Sequence, residues 1–144
     1  MPVQPSNDTR PAATGRPAYS QSLPCEAESA IRARRLVRAA CTAWELADLA
    51  EAGALVVSEL VANAVAHSGS RCLRVTVSRP GPRRVRIAVI DKSRTYPVRR
   101  TPSAEDENGR GLAIVEAISA RWGTDGLPWG KRVWAELRAP YEEK

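Results

Sequence analysis

Glu59, Asn63 and His67 stand four residues apart, and their side chains could do chemistry together. A four-residue step on a helix stacks side chains along one edge, so a carboxylate, an amide and an imidazole would share a line. A carboxylate can take a proton from a hydroxyl or orient a water, and an amide oxygen suits a hard cation that keeps most of its own water. His67 has two readings, a contact to a bound phosphate or a cap on the last helical carbonyls, and capping is the commoner use of a lone histidine there.

Two further stretches could serve a site. Asp91 stands where an alternating strand ends, and a carboxylate at a strand exit can point into a crevice or simply cap a turn. Asn108-Gly109-Arg110-Gly111 precedes Leu112, Val115 and Ile118, which carry helical spacing. Glycines at a helix start let backbone N–H groups approach a phosphate, and Arg110 could add a charged contact. A plain loop-to-helix transition is the other meaning of this pattern.

The elements that must position these residues can be read from periodicity. Leu49, Ala52, Gly53, Val56, Leu60 and Ala64 form the core-facing stripe of a central helix, with Asp48 and Glu51 as its expected capping box and Gly69 as its stop. Residues 1–20 are rich in Pro, Ser, Thr, Ala and Gly and predict a disordered tail. The folded domain should then occupy residues 21–144, opening with a short strand near Ser20 to Cys25. Ala30, Ala33, Val37, Ala40 and Trp44 predict an amphipathic helix that carries arginines on its other side. Leu73, Val75, Val77 and then Val85, Ile87, Val89 alternate with polar residues around Pro80-Gly81-Pro82 and predict a hairpin. Arg74, Arg84 and Arg86 would share its outer face, a basic surface with no aromatic interleaved for base stacking. Val98 to Asn108 has no period and reads as a long loop. Trp122–Leu127 and Lys131–Arg138 predict a last strand pair. Hairpins with grouped helices argue for an α+β two-layer sandwich, a mixed and mostly antiparallel sheet covered on one face by helices.

Composition removes several alternatives. No apolar run reaches the ~20 residues that span a bilayer, and the N-terminus has no secretion-signal pattern, so a cytoplasmic chain without membrane contact is expected. Three cysteines and a single histidine make a zinc site an unfavourable reading. A Walker lysine motif and a nucleophile elbow are both missing. The net charge of +6 favours anionic partners without choosing among nucleotide, nucleic acid and acidic protein.

Glu59-Leu-Val-Ala-Asn63-Ala-Val-Ala-His67 resembles the N-box of the GHKL ATPase and kinase superfamily, which includes gyrase and the histidine kinases. Asp91-Lys-Ser-Arg-Thr-Tyr-Pro97, Asn108-Gly-Arg-Gly-Leu-Ala-Ile-Val115 and Gly130-Lys-Arg-Val-Trp-Ala-Glu-Leu137 follow in that family's order. The chain is most similar to the small anti-sigma-factor serine kinases and stand-alone ATP-binding proteins of actinomycetes. The resemblance implies the Bergerat fold, ATP with Mg²⁺ as cofactors, and a site between the helical layer and a lid over Val98 to Asn108. It implies that Asp91 accepts from the adenine amino group, that Asn63 holds Mg²⁺, and that Gly109, Arg110, Gly111 and Leu112 approach the phosphates. Glu59 would be the catalytic base. Ser93 and Thr95 replace the glycines common in the superfamily, while Ser93 and Pro97 fit the actinomycete branch. Arg132 stands where many relatives carry Thr. Two functions stay open: a serine/threonine kinase that phosphorylates an anti-sigma antagonist and restrains a sigma factor, or a nucleotide-gated binding module without transfer. Relatives often form homodimers, and direct nucleic-acid binding is a distant third reading.

Overall fold

Strand alternation organises the sheet. The computed structural model describes residues 9–11, 17–92 and 107–140, with side chains for 18–92 and 112–140. Its strands are β1 (Thr9–Pro11), β2 (Pro17–Pro24), β3 (Cys72–Gly81), β4 (Arg84–Asp91), β5 (Arg121–Leu127) and β6 (Gly130–Arg138). They form one sheet in the order β1-β2-β3-β4-β6-β5. Every second residue of the central strands is buried: Leu73, Val75 and Val77, then Val85, Ile87 and Val89, then Val133, Ala135 and Leu137. The period of two sends this row to one face, where the helices cover it.

Among the described residues three helices supply the second layer, α1 (Ser29–Ala43), α2 (Ala50–His67) and α3 (Glu107–Ile118). Helix α1 buries Ala33, Val37, Ala40 and Cys41, and α2 buries Gly53, Val56, Val57, Leu60, Val61 and Ala64. The two helices run antiparallel, since Arg34 bonds Ser58 while Arg38 bonds Glu51. They also approach closely: a β-carbon on Gly53 would lie 2.8 Å from Val37 Cγ1. Helix α3 packs on α2 and β5. This is the expected α+β sandwich.

Several expectations are corrected. The described strand pairings are all antiparallel rather than mixed. The α1–α2 hairpin goes out and back, returning the chain to Cys72 opposite Pro24, where β2 ended. β4 and β5 do run the same way, but β6 lies between them. β2 begins at Pro17, and Thr9–Pro11 pairs with it, so part of the 1–20 stretch is strand. Backbone pairing to β3, from Ala18↔Ser78 onward, orders a segment whose side chains carry no apolar period.

The expected capping box is not formed. Ala47–Leu49 is a 3₁₀ turn, Leu49 occupies the N-cap without a side-chain bond, and Glu51 pairs with Arg38 instead. Helix α1 ends through Glu45 in the left-handed region (φ 60°), with Leu46 N–H donating to the Cys41 carbonyl at 2.8 Å. The stretch Ala47–His67 is long and apolar enough to cross a membrane, against the expectation, but half of it is buried inside the protein. It is the core helix.

Candidate functional site

The apolar phase of the strands also fixes where charge goes. Asp91 is the last residue of β4 and keeps step with Val85, Ile87 and Val89, so its side chain turns to the helix side of the sheet. Lys131, directly opposite on β6, keeps step with Val133, Ala135 and Leu137 and turns the same way. The Lys131 ammonium donates to Asp91 Oδ1 at 3.1 Å and lies 3.1 Å from Oδ2, with each side chain 1% exposed. Both ions have lost their water, a cost that only close mutual contact and further hydrogen bonds offset.

Gly130 makes that approach possible. A β-carbon there would collide with the Asp91 carbonyl oxygen and lie 2.8 Å from Lys92 Cα. Any side chain at this position would force the start of β6 away from the end of β4.

The C-terminal end of α2 is tied to the same corner. Gly69 (φ 67°) turns the chain after the helix, and Ser68 N–H donates to the Ala64 carbonyl at 2.9 Å. Ser70 Oγ then accepts from the Lys92 N–H at 2.9 Å, one residue past Asp91. The last turns of α2, with Asn63 and His67, are thereby fixed to the strand exit. Asn63 is buried at 6% exposure, Glu59 is half-buried one turn earlier, and His67 is exposed at the helix end. Ala62 and Ala66 face solvent.

Other expected site residues fall as follows. Gly109, Arg110 and Gly111 lie within the first turns of α3, because the helix starts at Glu107 and not after them. Leu112 is buried at 3% beside fully buried Val115. Ser93, Thr95 and Pro97 lie outside the described residues, as does the expected lid from Val98 to Asn108 except for its last two residues, which open α3. Arg132 is out of phase with Lys131 and sits on the opposite face, where it bonds Asp125 at 3.0 Å. A cavity of about 280 Å³ touches Asp91 but is lined mainly by residues of that opposite face, Ser22, Arg74 and Ile90, together with Trp129.

Lys131 is the residue that sequence reasoning missed, having used it only as a landmark. The signal was present: a lysine in step with three buried apolar residues needs a buried carboxylate, and Asp91 holds that phase on the hairpin strand.

In this arrangement both Asp91 oxygens are engaged by Lys131, and the polar edge of α2 ends at the same corner. Among the described residues no group of three His, Cys, Asp or Glu side chains lies close enough to hold a metal. A family model described as a histidine kinase-like ATPase domain matches residues 23–135. No curated protein matches the chain.

Proposed function

The chain belongs to the histidine kinase-like ATPase domain family, and on that premise we propose that it is an ATP-binding regulator that phosphorylates a serine on an anti-sigma antagonist and restrains a sigma factor. ATP binding follows from the family; the kinase role and the partners are the proposal. The observation that carries it is the α2 edge, where buried Asn63 and half-buried Glu59 stand one turn apart in the core helix and α2 ends at the Asp91 corner. A buried amide beside an ionisable carboxylate is a poor choice for packing alone.

Bound Mg-ATP supplies the phosphoryl group and the charge that neutralises it. Phosphoryl transfer asks the protein mainly to position reactants and spread charge. Asp91 would accept from the adenine amino group, and Lys131 keeps that carboxylate fixed. Asn63 would offer its amide oxygen to the cation, and Glu59 would take the proton from the attacking seryl hydroxyl. The N–H groups at the start of α3, around Gly109 to Gly111, would meet the phosphates, where the helix dipole favours negative charge.

A second reading draws on the buried Asp91–Lys131 pair. An adenine-reading carboxylate already held by a lysine suits weak, gated binding, in which nucleotide changes partner affinity without transfer. The deciding experiment follows γ-phosphate transfer to an antagonist carrying an acceptor serine, using wild type, Glu59→Gln and Asn63→Ala. The kinase reading expects Glu59→Gln to keep ATP affinity and lose transfer by about 10²–10⁴, and Asn63→Ala to lose both. ATP binding without transfer by wild type leaves the gated module.

A further inference from the structure

The face of the sheet turned away from the helices has an organisation that nucleotide binding does not use. The register places Arg86, Glu136 and Arg121 in one row across β4, β6 and β5, with Arg84 and Arg138 paired in the next. Arg84, Arg86 and Arg121 all reach Glu136, at 3.2, 3.1 and 3.4 Å. The Glu136 side chain is 2% exposed, although no helix lies over it among the described residues; the arginines cover it. Burial raises its pKa, but the hydrogen bonds from Arg84 and Arg86 and the charges of Arg121 and Arg86 outweigh that and hold it below the usual carboxylate range.

One carboxylate cannot neutralise three guanidiniums. Glu136 sets their positions, and each arginine stays well exposed with donors left over. With Arg74, Arg132 and Arg138, the described side chains of this face include six arginines against two carboxylates, Glu136 and Asp125. The patch runs on into a cavity of about 680 Å³ whose lining includes Arg83, Arg84 and Arg138.

The hairpin's share of this face has no aromatic, as expected, but Trp134 of the neighbouring β6 stands beside Ala88 and Gly123 in the middle of the face. Its ring is not free for stacking. It lies over Gly123, where a β-carbon would come within 3.0 Å of Cζ2, and the Arg86 and Arg121 guanidiniums approach its centroid at 4.5 and 5.7 Å. A nucleobase would have to displace them, whereas carboxylates meet the arginines as they stand.

We propose that this arginine face docks an acidic segment of a partner protein, Glu136 acting as the internal anion that pre-positions the guanidiniums. The proposal is independent of the nucleotide site on the other face. Its test uses a fluorescein-labelled oligoglutamate peptide and a labelled single-stranded oligonucleotide, read by anisotropy at low and at physiological salt. Arg84→Ser/Arg138→Ser is compared with Arg32→Ser/Arg35→Ser, which removes the same charge from exposed positions of α1. Oligoglutamate affinity should fall about tenfold in the sheet-face variant and stay within about twofold in the α1 variant. Arg138→Ser alone leaves the Glu136 cluster untouched and should lose about threefold, which keeps the test valid if the double variant unfolds. Equal losses in both double variants mean unspecific attraction to a basic chain and overturn the proposal. Tighter binding of the oligonucleotide, lost with the sheet-face arginines, overturns it in favour of a nucleic-acid partner.

Discussion

Lys131 and Asp91 face each other across β6 and β4 with 3.1 Å between ammonium and carboxylate and almost no exposure on either side. The residue proposed to read adenine is therefore also one half of a buried ion pair, whose two charges depend on each other. Lys131→Met should cost about 3–5 kcal/mol, the usual penalty for removing one partner of such a pair. Asp91→Leu/Lys131→Met should recover much of it. Urea denaturation of the single and double variants measures both quantities, and independent additive losses would refute the coupling.

Adenine recognition gives the same residue a second signature. Asp91→Asn keeps the shape and removes the charge, so ATP affinity should fall by about 1.5–3 kcal/mol, the range for a hydrogen bond to a charged group. Calorimetric titration with Mg-ATP, ADP and GTP checks this. Undiminished affinity in the variant, or equal affinity of wild type for ATP and GTP, would remove Asp91 from the role.

Gly130→Ala tests the approach of β6 to β4. The added methyl meets backbone, which cannot rotate away, so a loss of about 1–3 kcal/mol is expected, as for other overpacked sites. Gly123→Ala meets a tryptophan ring edge instead and should cost less. Thermal melts of the two variants side by side decide it.

Glu136 predicts an acid-sensitive term in stability. Its folded-state pKa is depressed, so its contribution is complete above the unfolded value of about 4.3 and is lost as pH falls through the lower folded value. The stability gap between wild type and Glu136→Gln should thus be constant near neutrality and shrink below about pH 4. A gap that widens on acidification would contradict the arginine cluster as its cause.

Thiol reactivity should order the cysteines. Cys41 is buried in the core, and burial first, with the Asp48 charge adding to it, pushes its thiol up to about 11. Cys72 is exposed at the start of β3. Alkylation at neutral pH should modify Cys72 first and reach Cys41 only on unfolding, since the thiolate is the reacting form. Peptide mapping over time would show it.

Sequence alone determined the two-layer architecture, the α1 and α2 core faces, the β3–β4 hairpin, and the shared edge of Glu59 and Asn63. These are short-range matters: a helix repeats at 3.6 residues and a strand at two, so a dozen neighbouring residues declare which face is buried. The same rule carried enough to place Lys131 inward and Arg132 outward, had charge been read in the strand's phase as apolarity was. The tertiary structure alone decided which residues meet. Asp91 and Lys131 are 40 positions apart, and Arg86 lies 50 from Glu136. Only the order β4-β6-β5 makes them neighbours. A strand's phase states which face a side chain takes and nothing about which strand lies beside it, so the buried ion pair on one face and the arginine cluster on the other come from pairing register.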